Sequence, residues 1–222
     1  MSDDRTIRLR GKDITVTQAM RAAIIAEMPE IGWIGSAEIR DKVADAWAAA
    51  IASAGLARIG DMKPSGNYDS MPLRHGTQAD HIRSVARIAL KIAEEMDGLF
   101  PGFDYDRDML IAGALCHDIG KVWEFDPENI ARWKADPRKV GYPSMRHPGY
   151  GIHICLSAEL PEHVAHMAAA HSAEGELLTR SKENTILRWS DHTFWLVAEA
   201  AGQLKEVDDW QAPAKAATDQ PG

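Results

Sequence analysis

The sequence is short of cysteine, of basic charge and of long apolar runs, and each shortage removes a class of protein. Only Cys116 and Cys155 are present. Each sits in an apolar helical pattern without the paired spacing of a zinc site, so they read as small buried hydrophobes of a reducing compartment, or as one disulfide. Lys and Arg total 25 against 33 Asp and Glu, a net charge of -8. Extended nucleic acid is held mainly by Lys and Arg, and this balance argues against it. A small anionic substrate stays compatible, because a local metal site inverts the field of an acidic protein. No stretch approaches the ~20 apolar residues that span a bilayer. The first residues, Met1-Ser2-Asp3-Asp4-Arg5, carry acids where a secretory signal carries a basic segment. The expected address is cytoplasmic, with no membrane partner. Strand-like alternation is missing beyond a few residues, which leaves an all-α fold.

What is present is an ordinary globular mix, 45% hydrophobic and 26% charged over 222 residues, long enough to bury a substantial core. Residues 1 to 15 read as a short extended arm or as disordered. Thr17 caps a helix over Gln18 to Met28, and Ser36 caps a longer one to about Ala54 that Gly55 ends. Gly60 to Gly76 is dense in Gly, Pro, Asn, Asp and Ser and has no helical period. A loop of that length is usually functional or mobile. Thr77 then caps a strongly amphipathic helix to about Met96, with His81 in its first turn on the inward stripe. Further helices run from Asp106 to His117, from His147, from Pro161 to His171, and over about Lys182 to Leu204. The stretch from Val122 to Arg146 is irregular, with a short helix near Glu128 to Lys134. The expected organisation is residues 1–76 as N-terminal helices and loop packing on the core, 77–205 as the core, and 206–222 as a disordered tail. Nothing in the pattern sets the oligomeric state.

The chain is organised around Ala114-Leu115-Cys116-His117-Asp118-Ile119-Gly120-Lys121. An imidazole beside a carboxylate offers two metal ligands, and a lysine three residues on can meet an anion at the same metal. The plainer alternative is that His117 caps the helix, with Gly120 as its left-handed stop. Other residues of the same chemistry stand at helix ends: His81, His147 and His171. Asp191 lies inside an apolar helix, where a carboxylate is costly unless paired, either with Arg188 one turn back or with a metal. His153, His163 and His166 read as ordinary surface or core residues, and His192 points about 100° away from Asp191 on its helix. His75 stands close enough in sequence to support His81, and Trp123 close enough to Lys121 to shape a pocket.

With these residues in order, the chain resembles the HD superfamily of metal-dependent phosphohydrolases, over roughly residues 75 to 200. The resemblance implies a helical bundle with additional N-terminal helices. It maps that family's core ligands onto His81, His117, Asp118 and Asp191, and the extra histidines of dinuclear members onto His147 and His171. It further implies two divalent transition-metal ions (Fe, Mn, Co, Ni or Zn) with Asp118 bridging. Ser172 departs from the pattern of cyclic-dinucleotide phosphodiesterases, which carry a second histidine there.

Two such ions about 3.5–4 Å apart clamp a phosphate and lower the pKa of a bridging water, so no side-chain nucleophile is needed. The expected function is therefore hydrolysis of a small phosphate ester or nucleotide. Asp118 and Lys121 are the catalytic residues in this reading, and Lys121, Tyr68 and Arg74 the substrate-binding ones, the last two closing over the site from the Gly60–Gly76 loop. Two alternatives stay open: a dinuclear-iron oxygenase of the inositol-oxygenase type, which also carries the lysine, and an inactive regulatory module, against which the complete ligand set argues.

Overall fold

Seven of the helix starts among the described residues are set by side chains that accept an otherwise unpaired backbone N–H: Thr17, Ser36, Thr77, Asp106, Asp126, Asp136 and Ser181. Thr77 and Asp80 satisfy each other's backbone N–H reciprocally, a capping box that fixes the turn carrying His81. The computed structural model describes residues 4–213. Its elements are a hairpin, β1 (Arg5–Leu9) and β2 (Lys12–Val16), followed by α1 (Gln18–Glu27), α2 (Ala37–Ala54), α3 (Gln78–Leu99), α4 (Arg107–Cys116), α5 (Lys121–Glu124), α6 (Pro127–Ala135), α7 (Pro137–Val140), α8 (His147–Ser157), α9 (Glu162–Ala170) and α10 (Lys182–Ala200). Among the described residues, the protein is all-α apart from that one hairpin, and no helix is long and apolar enough to cross a membrane.

Helix α4 is the axis of the bundle. Its residues Met109 to Cys116 are all buried, as a helix apolar on every side must be, and it packs against α2, α3, α9 and α10. Gly113 permits the approach of α9, since a Cβ there would lie 2.1 Å from Cε of Met167. At the end of α4 the free carbonyls find partners. Leu115 O accepts from the Trp47 indole at 2.9 Å, and Cys116 O accepts the Ile119 N–H at 3.1 Å. The bundle therefore delivers a well-anchored helix terminus at His117. Cys116 and Cys155 are both buried and unbridged.

Two expectations are corrected at the ends of the chain. Residues 5–16 form an antiparallel hairpin with Arg5 opposite Val16 and Leu9 opposite Lys12. Ile7, Leu9 and Val16 are buried in one continuous core with α2, α4 and α9, because period-two alternation over five residues is enough when one face meets a helix layer. At the hairpin turn, Arg10 reaches the Asp126 carboxylate at 2.6 Å and Val122 O at 2.8 Å. Residues 206–213, expected to be disordered, run against the Gly60–Gly76 loop. Leu204 bridges Leu73, Lys205 N donates to Pro72 O, and Asp208 pairs with the buried Lys63. Main-chain pairing of residues 203–205 with 72–74 brings this segment to the loop, and the Asp208 carboxylate holds it there through the buried Lys63. Residues 214–222 of the expected tail lie outside the described residues.

Candidate metal centre

His117 follows directly on α4, and its ring Nδ1–H donates to Ala114 O at 2.7 Å. This bond fixes the tautomer and turns the Nε2 lone pair inward. His171 repeats the device at the end of α9, with Nδ1 2.9 Å from Ala168 O. His147 opens α8 and is held by Glu124, whose carboxylate accepts both its backbone N–H, at 2.7 Å, and its ring Nδ1–H. His81 is fully buried between Phe194 and Trp195, at ring separations of 4.6 and 4.7 Å.

The donor atoms gather in two groups, His81, His117 and Asp191 in one and Asp118, His147 and His171 in the other, each within 4.8 Å. Asp118 stands between them. Its Oδ2 lies 3.2 Å from His81 Nε2 and 3.3 Å from His117 Nε2, and its Oδ1 lies 3.5 Å from His147 Nε2 and 3.8 Å from His171 Nε2. Asp191 Oδ1 is 3.4 Å from His81 Nε2. The arginine one turn back from Asp191 is engaged elsewhere, since Arg188 donates to Ser172 O and pairs with Glu176.

This donor set suits cations. His81 Nε2, His117 Nε2 and Asp191 Oδ1 are buried with no hydrogen-bond partner among the described residues, a costly condition for polar atoms unless something positive binds them. His147 and His171 face each other Nε2 to Nε2 at 3.2 Å while both Nδ1 atoms are committed to acceptors. Two lone pairs so placed repel, and a divalent ion between them removes the repulsion. Bonds of about 2.0–2.2 Å to nitrogen and oxygen span these groups after small side-chain shifts.

The local electrostatics agree. Burial pushes the Asp118 carboxyl up, but the Lys121 ammonium and the His117 imidazole outweigh it and hold the group well below the usual carboxylate range. Burial, with His117 and His147 alongside, pushes His171 down to about 3, so its imidazole is neutral at ordinary pH, the form that can bind a cation. Burial also lowers His81, more than Asp118 raises it.

Lys121 is 1% exposed. Its ammonium donates to Asp118 Oδ2 at 2.6 Å and to Ser65 O at 2.8 Å. The same Asp118 oxygen accepts from Gln78 Nε2 at 2.8 Å. Gly120 is not the left-handed stop that the sequence allowed: its φ is -72°. The residue is glycine because a Cβ would sit 1.9 Å from His147 O, where the turn after the His-Asp pair meets the start of α8.

A cavity of about 890 Å³ opens onto Asp118, Lys121, His147, His171 and Asp191. The two loop residues expected to close over it do not line it. Tyr68 packs edge-on against Tyr142 at 5.6 Å, and Arg74 is exposed with its guanidinium 3.4 Å from Glu206. The loop turns its 66–67 and 69–71 segments to the cavity instead, because main-chain pairing of residues 72–74 with 203–205 fixes its twist. His75, expected to support His81, is exposed, and the nearby supporting hydrogen bond runs instead from Gln78 to Asp118. Trp123 stacks on Tyr150 at 4.7 Å; the indole in the cavity is Trp195. Glu124 and Gln78, which hydrogen-bond to His147 and Asp118, are residues that the sequence reading does not single out. A glutamate inside the apolar run Val122-Trp123-Glu124-Phe125 is a signal for the first; Gln78 carries none.

The HD domain family matches residues 79–196, more than half of the chain, and the chain belongs to that family. A 50-residue stretch is 42% identical to a dihydroneopterin 2',3'-cyclic phosphate phosphodiesterase of Methanocaldococcus jannaschii. That match covers 22% of this chain and only 20% of the relative's length. No solved structure matches the chain.

Proposed function

We propose that this protein is a metal-dependent phosphohydrolase that cleaves a small phosphate ester at a centre of two divalent transition-metal ions. The observation that carries the reading is the position of Asp118, one carboxylate oxygen facing each group of donors. His81, His117 and Asp191 would hold one ion, His147 and His171 the other, and Asp118 both. Family membership and the phosphodiesterase named among its relatives support the same class of reaction.

Bound ions of this kind polarise phosphoryl oxygens and lower the pKa of coordinated water. The protein's own groups supply the rest. Glu124 holds His147 in its binding orientation, and Gln78 and Lys121 both donate to Oδ2 of the Asp118 carboxylate and so fix its rotation. Lys121 has three donors and spends two on Asp118 and Ser65, leaving one for a phosphoryl oxygen as charge develops there. In the reaction a water oxygen forms the new P–O bond, the ester P–O bond breaks, and a water proton ends on the departing alcohol.

The test is a panel of phosphate mono- and diesters with Mn, Co, Ni, Fe or Zn, using the parent protein, Asp118→Ala and Lys121→Ala. Phosphate or alcohol release that disappears in Asp118→Ala together with the bound metal, and that falls steeply in Lys121→Ala with metal retained, is expected. Background rates across the panel, with oxygen consumption by the iron-loaded protein, would overturn the reading in favour of an oxygenase.

A further inference from the structure

We infer that Asp208 is a positioning residue for the reaction: it acts through the buried Lys63 and the main-chain carbonyl of Ser65 to hold the Lys121 ammonium at the metal centre. The inference rests on the phosphohydrolase reading for what Lys121 does, and on the contacts alone for what holds it. A lysine carries a point charge on a flexible four-carbon stem, so an ammonium that must meet one phosphoryl oxygen has to be held by other groups.

Two such groups are hydrogen-bonded to Lys121. One is the Asp118 carboxylate, and the other is Ser65 O at 2.8 Å, from a loop residue 56 positions earlier in the chain. Ser65 is fully buried and tied on every polar atom. Its N–H donates to Lys63 O at 2.9 Å and its hydroxyl to Asn67 O at 2.6 Å, while the neighbouring Pro64 O accepts the Leu73 N–H at 2.9 Å. The place of the Ser65 carbonyl therefore follows the place of Lys63.

Lys63 is 4% exposed, and its ammonium donates to Tyr68 O at 2.9 Å and pairs with Asp208. A buried cation that loses its carboxylate leaves an uncompensated charge, which moves toward water or draws water in. Asp208 is thus the counter-charge that lets Lys63 stay inside and keep the loop folded at Ser65. The segment that brings it there also touches the space around Lys121. A small cavity of about 40 Å³ is lined by Lys121, Val122 and Phe125 together with Trp210, Ala212 and Pro213. Lys121 borders this space as well as the 890 Å³ cavity. The segment that ends at 213 consequently meets the lysine twice, once through Lys63 and the loop and once beside its stem.

The test has two readouts. The first is the rate at which acetic anhydride acetylates Lys121 in the metal-free protein, followed by peptide mass spectrometry. The second is turnover of 4-nitrophenyl phosphate or its bis ester by the metal-loaded protein, whichever the parent cleaves faster. Asp208→Asn should speed acetylation of Lys121 about tenfold, and should lower kcat about tenfold with KM changed less than about twofold and metal content parental. Asp208→Glu should restore most of the turnover. In a Lys121→Ala background Asp208→Asn should cost nothing further, because the residue it acts through is gone. A merely structural role would lower kcat equally in both backgrounds, and that result would overturn the proposal, as would parental kcat and parental acetylation in Asp208→Asn. If the lone Lys63 charge prevents Asp208→Asn from folding, the double variant Lys63→Met with Asp208→Asn removes both charges and carries the same expectations. A parent that cleaves no phosphate ester would sink the hydrolase reading, and the acetylation rates would then decide this proposal by themselves.

Discussion

The Glu124 carboxylate receives both the backbone N–H and the ring Nδ1–H of His147, and Arg146 lies against its other oxygen at 3.0 Å. One buried acid thus sets the position of a helix start and the orientation of an imidazole at once. Burial raises the Glu124 carboxyl, but His147 and Arg146 outweigh that effect and keep it below its ordinary range, so it is an anion at neutral pH.

Replacing this anion should therefore weaken one half of the centre. Glu124→Gln is expected to lower affinity for the ion held by His147 and His171 by about 10–100-fold, leaving the His81, His117 and Asp191 group occupied. Elemental analysis across a metal titration reads this as a stoichiometry falling toward one ion at limiting metal. Full occupancy at parental affinity would show that Glu124 only shapes the start of α8.

Gly120 separates the same two segments by the width of a hydrogen atom. In Gly120→Ala the new methyl must displace the His147 carbonyl, which a Cβ would meet at 1.9 Å, so the turn and α8 move apart. A loss of about 2–4 kcal/mol of stability is expected, in the range of severe overpacking, along with weaker metal binding. Denaturant titration with and without metal measures both, and a parental midpoint would refute the contact.

A pH-dependent contribution to stability comes from Glu30, buried under Arg83 and Arg87 of α3. Its carboxylate accepts from Arg83 Nε at 2.9 Å and from Arg87 Nε at 2.8 Å. Burial pushes this carboxyl up, but the Arg83 and Arg87 hydrogen bonds outweigh it, and its pKa is lowered. A carboxyl lower in the folded than in the unfolded state adds stability above its unfolded pKa, about 4.3, and loses it as pH falls through the folded value. Glu30→Gln should then cost about 1–3 kcal/mol at pH 7, with the difference from the parent closing steadily below about pH 4. Chemical denaturation at both pH values gives the comparison; a gap that widens in acid would reverse the sign.

Arg74 and Tyr68 supply a contrast. Because neither lines the cavity, Arg74→Ala and Tyr68→Phe should keep metal content and shift KM for any phosphate ester less than about twofold, within the usual range for surface changes. A KM several times higher in either variant, with metal retained, would mean that the loop closes over the substrate differently from its arrangement here.

Much of the helical frame is legible in the amino-acid sequence. Capping residues at 17, 36, 77, 106 and 181 and the apolar periodicity of the segments they open are local signals, and local signals survive folding. The donor residues are legible for a related reason. A histidine or aspartate at the end of an apolar helix has little else to do, and His81, His117, Asp118, His147, His171 and Asp191 do converge. The hairpin at 5–16 is not legible, since five alternating residues specify a strand only when a core already exists for their inner face to cover.

What the sequence by itself determined is the set of side chains that must be satisfied together, because each is too polar to bury alone. Tertiary structure decided which atoms of them meet. It placed Asp118 between the two donor groups, gave His147 to Glu124, and freed Asp191 from Arg188 by engaging that arginine with Glu176. It also decided which face of the Gly60–Gly76 loop looks inward. That choice depends on a pairing between residues 72–74 and 203–205, more than a hundred positions apart. Such a contact leaves no periodic trace in either segment, and so Tyr68 and Arg74 stand out as chemically suitable while Gly66 and Asn67, which do line the cavity, carry no signal at all.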